Sequence, residues 1–260
     1  MTDLTQNVTK DDTTEDAFLG GRLRLAQKRS GHRAGHDAIL LAAATPAVAG
    51  DRAVDFGAGV GTAGLALACR VPGVSLTLVE IDPELAGLAR TNAAANAIEA
   101  EVTVLDVTSD AQVFVAKGLV PDSIDVVLMN PPFNDPARHR GSPDQARHVA
   151  HLATDETLHA WVRAARRILK SGGVLTLIWR ADGIAEVLTA LSRGFGSLSV
   201  LPVHGDAEKP AIRVLVRAIK GGRAPTRILP GLMLNDESRV PKKEVQDVLA
   251  GRAALPLAVS

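Results

Sequence analysis

Val54-Asp55-Phe56-Gly57-Ala58-Gly59-Val60-Gly61 decides how this chain folds. A short apolar run, residues 52–56, leads into a turn with glycine at alternate positions, and residues 62–70 continue as an Ala- and Leu-rich helical pattern. Strand, glycine turn and helix in that order open a βαβ unit. Glycine lets the backbone turn tightly and approach a ligand closely. The helix that follows presents free N–H groups at its start.

Downstream the same alternation repeats. Residues 75–81 read as a strand closed by Asp82-Pro83, and residues 83–96 as a helix with Pro at its first position. Strands are predicted over 101–105, 124–129 and 174–179. Helices are predicted over 155–170 and 183–191, and two last strands, 198–203 and 212–219, as an antiparallel pair. Upstream, residues 34–49 form a helix candidate with Asp37 near its start and Pro46 near its end. Strands alternating with helices predict an α/β fold, a doubly wound, mostly parallel sheet covered on both faces, whose ligands bind beyond the carboxyl ends of the strands. By composition and pattern, residues 1–17 are expected to be a loosely held tail, 18–220 the main domain and 221–260 a C-terminal tail with a short helix over 240–250.

The bulk properties exclude several classes. The chain has 260 residues, 46% apolar and 22% charged, an ordinary globular balance. No apolar run approaches the roughly 20 residues of a membrane span, and no secretory signal is visible at the polar, acidic start. Cys69, the one cysteine, stands in an Ala-rich helical stretch and reads as core; a single thiol fits a reducing cytoplasm. His148 and His151 are three apart, but no third ligand stands nearby in sequence, so no metal is expected. Trp161 and Trp179 lie in apolar settings and read as core.

The formal net charge is zero. The basic residues are nevertheless clustered: Arg22, Arg24, Lys28, Arg29 and Arg33; then Arg138, Arg140 and Arg147; then Lys209, Arg213, Arg217, Lys220, Arg223 and Arg227. Folding either brings these segments onto one face, suited to a phosphate backbone, or leaves them as separate solvated surfaces.

The acids around the glycine turn point to the ligand. Glu80 ends the second strand, where a carboxylate can accept both ribose hydroxyls of an adenosine-containing cofactor. Gly59-Val60-Gly61-Thr62-Ala63-Gly64 also fits the dinucleotide pattern, so a nicotinamide cofactor competes with S-adenosylmethionine. Asp55, just ahead of Gly57, favours the second. An acid beside the turn repels a pyrophosphate and welcomes an ammonium and a sulfonium. Asp106, closing the third strand, is placed either to accept an adenine amino group or to cap the next helix.

Asn130-Pro131-Pro132-Phe133 follows the buried run of the fourth strand. As structure alone, Asn-Pro marks a turn. As chemistry, the Asn130 side-chain carbonyl accepts a hydrogen bond from an exocyclic NH2, the Pro131 carbonyl lies near, and Phe133 offers a stacking face.

Taken in order, Asp55–Gly61, Glu80, Asp106 and Asn130–Phe133 resemble the class I S-adenosylmethionine-dependent methyltransferases, and the Asn-Pro-Pro-Phe form resembles the amino methyltransferases among them. Phe18-Leu19-Gly20-Gly21-Arg22-Leu23-Arg24-Leu25-Ala26-Gln27 and Gly31-His32-Arg33-Ala34-Gly35-His36-Asp37-Ala38-Ile39-Leu40-Leu41 are similar to the N-terminal signature of the bacterial tRNA (adenine-N6)-methyltransferase family that modifies a valine tRNA. The resemblance implies a seven-stranded Rossmann-like methyltransferase sheet with an N-terminal helical extension. It implies that Asp55, Gly57, Gly59 and Gly61 line the methionine end of the cofactor, with Asp37 beside them. Glu80 would hold the ribose, and Asp106 the adenine. It further implies that Asn130 and Pro131 grip the target amine while Phe133, in place of the commoner Tyr, stacks on its ring. Arg33, Pro132, Arg138 and Arg140 are the candidate substrate contacts. The partner implied is tRNA or another structured RNA; a protein glutamine uses the same grip, and a non-catalytic S-adenosylmethionine-binding partner protein is the reading of another class.

Overall fold

The computed structural model describes residues 13–29, 35–132 and 145–259, with 145–155 described by their backbone only. Arg33, Phe133, Arg138 and Arg140 lie outside the described residues, as do the side chains of His148 and His151.

The chain opens with a hairpin. β1 (Thr13–Phe18) pairs antiparallel with β2 (Leu23–Lys28), so residues 13–17 form most of a strand rather than part of a loose tail. The Gly20-Gly21 pair makes the reversal with positive φ at both residues. In β2 the side chains of Leu23, Leu25 and Gln27 are buried on alternate positions, the period of a half-covered strand. The N-terminal extension is therefore a hairpin followed by one helix, α1 (His36–Ala44), and not helical throughout. Asp37 lies in the first turn of α1, where the helix dipole favours a negative charge. The helix stops at Thr45, ahead of Pro46, and Arg70 donates to the carbonyls of Ala42 and Thr45 at that end.

The main sheet follows in the predicted alternation: β3 (Arg52–Phe56), α2 (Thr62–Arg70), β4 (Ser75–Glu80), α3 (Pro83–Ala95), β5 (Ala100–Val104), α4 (Ala111–Ala116), β6 (Ile124–Met129), α5 (Gln145–Ile168), β7 (Leu169–Arg180), α6 (Ile184–Leu191), β8 (Phe195–His204) and β9 (Ala211–Lys220). Across the sheet these strands lie in the order β8-β9-β7-β6-β3-β4-β5, with β9 alone antiparallel to its neighbours. Two further pairs of residues, β10 (Arg227–Ile228) and β11 (Leu232–Met233), add parallel to β8 and bring the sheet to nine strands. α7 (Lys243–Leu249) is followed by a single 3-10 turn over Pro256–Ala258.

Alternation within the strands splits the core in two. Leu76, Leu78 and Leu128 face α1, α2 and α7, while Val54, Phe56 and Met129 face α4, α5 and α6. α2 and α3 cover one face and α5 the other, so the chain changes face between β3 and β6. In open α/β sheets that is the switch point where a crevice forms at the strands' carboxyl ends. The C-terminal segment closes the α1 face. Leu255 N donates to Ala43 O at 2.8 Å, and the buried Arg217 of β9 donates to Leu257 O at 2.8 Å. Among the described residues, no helix is long and apolar enough to cross a membrane.

Candidate active site

The register of the sheet sets the geometry of the site. Phe56 of β3 is opposite Val79 of β4 and Met129 of β6. One residue further on, Gly57, Glu80 and Asn130 therefore stand level across three adjacent strands at the switch point. Glu80 is opposite Val104 of β5, so Asp106 follows just beyond, at the sheet edge.

The turn after β3 is glycine for two distinct reasons. Gly57 has φ +67°, and a Cβ there would lie 2.4 Å from Cη2 of Trp161. That indole is buried and stands edge-on to Phe56, with centroids 6.4 Å apart, so its ring shapes the underside of the turn. Gly64, inside α2, is needed for close approach. A Cβ there would sit 2.4 Å from Leu78 and 3.1 Å from Asp55 Oδ2. Gly59 and Gly61 also have positive φ, and at Gly59 an added Cβ would meet nothing within 4 Å.

Asp55 is 2% exposed and accepts one hydrogen bond, from Gly64 N at 2.8 Å. Burial raises its carboxyl to about 7; the Gly64 bond opposes this and the neighbouring Glu80 charge adds to it. Glu80 is also buried, and its carboxylate organises the turn: Oε2 accepts from Gly59 N at 2.7 Å, and Oε1 accepts from Ile81 N at 2.9 Å and Asp82 N at 3.0 Å. Asp106 folds back locally, accepting from Thr108 N at 2.8 Å and Thr108 Oγ1 at 2.7 Å through Oδ1. The carboxylate of Asp37 pairs with Arg213 of β9 at 2.9 Å. Arg213 lies opposite Arg180 at the carboxyl end of β7, so this pair borders the same edge of the sheet.

Asn130 is the outstanding polar group. Its Oδ1 is buried and has no hydrogen-bond partner among the described residues. Such an orphan costs about 1–3 kcal/mol unless something supplies a donor. Pro131 is buried and Pro132 exposed. The structure thus brings Asp55, Gly57, Gly59, Gly61, Glu80, Asn130 and Pro131 to the carboxyl ends of three adjacent strands, with Asp106 beyond the end of β5 and Asp37 at the start of α1.

The residues present fit S-adenosylmethionine. The buried Asp55 carboxyl, pushed up to about 7, has no cationic partner among the described residues, and an ammonium or sulfonium would provide one. Open space above the Gly59 backbone admits a ligand, and Glu80 Oε2, which accepts one backbone bond, retains a lone pair for a hydroxyl.

Three contributors escape a sequence reading. Gly64 looks like an ordinary helical glycine until Leu78 is seen beside it. Trp161 reads as core and is core, yet it also bounds the turn. Asn92 of α3 donates to Val60 O in the middle of the glycine turn at 2.9 Å; a buried asparagine in a helix interior was its one available signal. Many of the clustered basic residues are engaged within the protein. Arg22 donates to Ala250 O and Gly251 O, Arg24 pairs with Glu15, Lys28 with Glu84, Lys209 with Asp206 and Lys220 with Asp122. No group of three or more His, Cys, Asp or Glu close enough to hold a metal occurs among the described residues.

A parallel sheet with one reversed strand, doubly wound and carrying a glycine turn and an acid on adjacent strand ends, is the class I S-adenosylmethionine-dependent methyltransferase architecture. The chain belongs to the methyltransferase small domain family, whose model matches residues 33–205. Over 84% of its length it superimposes on a predicted O-methyltransferase, protein Atu636 from Agrobacterium tumefaciens, covering 98% of that chain with TM-score 0.71 and 34% identity. It is 32% identical over 167 residues, 64% of the chain, to ribosomal RNA small subunit methyltransferase C of Citrobacter koseri, covering 41% of that protein. It is 26% identical over 162 residues, 60% of the chain, to release factor glutamine methyltransferase of Chlorobaculum tepidum, covering 54% of that protein. The chain spans about half the length of these last two relatives.

Proposed function

We propose that the protein transfers a methyl group to an exocyclic amino nitrogen of a base in structured RNA, adenine N6 of a tRNA being the leading target, and that it does so in the cytoplasm. The observation that carries this reading is the Oδ1 of Asn130 beside the glycine turn, buried and without a hydrogen-bond partner among the described residues. A carbonyl oxygen only accepts. It suits an NH2, which still has a proton to donate when it attacks, better than a hydroxyl, which must lose its only proton to become a nucleophile.

S-adenosylmethionine supplies the electrophilic methyl when bound. Asp55, Gly57, Gly59 and Gly61 hold its methionine end, with Asp37 nearby; Glu80 holds the ribose hydroxyls and Asp106 the adenine amino group. Asn130 Oδ1 and the Pro131 carbonyl accept from the target NH2, which draws the nitrogen out of conjugation and frees its lone pair. Phe133 supports the ring from a position outside the described residues, and Arg33, Pro132, Arg138 and Arg140 contact the substrate. Positioning and fixed dipoles account for most of the acceleration. The proton leaves afterwards to water. A base in RNA must be unstacked to enter the crevice.

A second reading, N5 methylation of a protein glutamine, is favoured by a specific observation. The basic residues of the first and third clusters are largely engaged by the protein's own acids and carbonyls. That weakens the electrostatic case for a polyanion, and the relative named as a glutamine methyltransferase fits it. The test is transfer of labelled methyl to total tRNA, ribosomal RNA, DNA and a protein extract, followed by identification of the modified residue. Label in tRNA with affinity that falls steeply with salt supports the first reading; label confined to protein refutes it. Asn130→Ala should abolish transfer while leaving cofactor affinity within about twofold of wild type, and retained transfer would refute the proposed grip.

A further inference from the structure

Asn92 is 1% exposed in the interior of α3. Asparagine is a poor helix former, and a buried amide is costly unless its hydrogen-bonding groups are met. Here they are met by two separate parts of the chain. Oδ1 accepts from Ala26 N at 2.8 Å, and Nδ2 donates to Ala26 O at 3.1 Å and to Val60 O at 2.9 Å. The partners fix the amide's orientation, since the reverse would aim the NH2 at an N–H and the carbonyl at two carbonyls.

One turn further along α3, Asn96 repeats half of this pattern. Its Oδ1 accepts from Arg24 N at 2.9 Å and its Nδ2 donates to Arg24 O at 2.7 Å and to Asn92 O at 2.8 Å. The spacing explains the pairing. Four helical residues advance about 6 Å and two strand residues about 6.6 Å, so amides at i and i+4 meet alternate residues of a strand. The two side chains serve β2 as a substitute neighbouring strand along its free edge.

The difference between them is Val60. It lies between Gly59 and Gly61, both at positive φ. The turn's other polar groups are held by Glu80 at Gly59 N, by Asp55 at Gly64 N and by Ala58 O at Gly61 N. Asn92 is the side chain that holds the Val60 carbonyl.

We propose that Asn92 is a positioning residue for the cofactor. It sets the glycine turn through Val60 and thereby cofactor affinity, and it makes the N-terminal hairpin part of that support. Asn96 fastens the same hairpin without reaching the turn. This rests on the reading of the turn as the S-adenosylmethionine site.

The test compares full-length wild type, Asn92→Ala, Asn92→Asp and Asn96→Ala by calorimetric titration with S-adenosylmethionine, alongside thermal unfolding. Asn92→Asp keeps the size and the acceptor for Ala26 N but turns a carboxylate towards two carbonyls, so it reports on the site even where the cavity left by Ala prevents folding. Asn92 and Asn96 variants should both lower Tm. The Asn92 variants alone should weaken cofactor binding, by roughly tenfold, with the KM for the methyl acceptor unchanged. A folded Asn92 variant that binds like wild type overturns the inference, as does an equal loss of affinity in Asn96→Ala. Failure of wild type itself to bind the cofactor overturns the functional reading, and this inference with it.

Discussion

Replacing Asp55 by Asn should stabilise the free protein at alkaline pH and weaken cofactor binding at the same time. Asp55 is buried at the end of β3 and its carboxyl is raised by that burial to about 7 from an ordinary 3.8. Well below pH 3.8 the group is protonated in the folded and the unfolded chain and has no effect on stability. Between 3.8 and about 7 the unfolded chain loses the proton while the folded chain keeps it, so stability falls as pH rises. Above about 7 both states are ionised and the penalty is constant. At about 1.4 kcal/mol per pH unit the full penalty is about 4 kcal/mol, of which roughly 2.5 kcal/mol develops between pH 5 and 8. Asparagine has no such titration and can still accept from Gly64 N. Urea unfolding of both proteins at half-unit steps from pH 5 to 8 should show the variant gaining on wild type by that amount. A gap that stays flat within 0.5 kcal/mol, or closes as pH rises (an error margin typical of ~10–15% extrapolations), refutes the argument. Titration with S-adenosylmethionine at pH 8 should show the opposite order if, as proposed, the Asp55 charge pairs with the ligand's cations.

Other substitutions test the turn and the hairpin. Gly57→Ala forces a side chain into left-handed backbone and against Trp161; a loss of about 2–4 kcal/mol is expected in chemical unfolding. Adding Trp161→Leu to it should recover the contact part but not the backbone part. Glu80→Gln can present one oxygen only, leaving either Gly59 N–H or the Ile81 and Asp82 N–H groups facing an NH2; about 1–3 kcal/mol of stability and most cofactor affinity should go, read by thermal unfolding and calorimetry. Arg22→Ala removes the donors to Ala250 O and Gly251 O at the end of α7. The expected loss is about 1 kcal/mol, with faster hydrogen exchange over residues 243–259 and unchanged exchange in β3 and β4.

The central sheet was legible because its parallel strands are rich in apolar and β-branched residues and most of them close on a Gly, Pro or Asp. β3, α2 and β6 fall where residues 52–56, 62–70 and 124–129 predict them. β1 was not legible: Thr-Thr-Glu-Asp-Ala-Phe has no apolar alternation, and it is a strand because β2 lies beside it. β7 begins five residues before the prediction because Leu169 pairs with Ile124; Lys170-Ser171-Gly172-Gly173, which looks like a loop, has no strand partner among the described residues, and pairing resumes at Val174 after a register shift. At the site, Asp55, Glu80 and Asn130 announce themselves as polar residues closing apolar strands. Their hydrogen bonds do not. Glu80 binds the backbone of its own strand end and of the glycine turn, contacts fixed by tertiary packing and absent from any local pattern. The same holds for the basic clusters, whose partners Glu15, Glu84, Asp37 and Asp122 are scattered along the chain.

The two ends of the central strands show why the site is where it is. At the amino ends the charges are settled. Asp125 pairs with Lys170 at 2.6 Å and accepts from Arg52 N at 3.0 Å, and Asp122 pairs with Lys220 at 2.7 Å. At the carboxyl ends of β3 and β6, a few residues away along the same strands, burial pushes the Asp55 carboxyl up to about 7, and the buried Asn130 Oδ1 has no donor among the described residues. Other buried polar atoms without a partner among the described residues lie elsewhere, on Arg167, Thr176 and Arg217, but Asp55 and Asn130 stand together at one end of adjacent strands. Each lacks a partner of a definite kind: Asp55 a cation, Asn130 an N–H donor. A ligand pair that brings both to the same crevice would settle both at once, and methyl transfer from a sulfonium to an amino nitrogen is a reaction whose two reactants carry those groups. Binding of S-adenosylmethionine should therefore bring the Asp55 carboxyl down from about 7 and release a proton near neutral pH. Calorimetric titration at pH 7 in buffers of different ionisation enthalpy measures that release directly, and apparent heats that do not vary with the buffer would show that Asp55 does not meet the cofactor's charge.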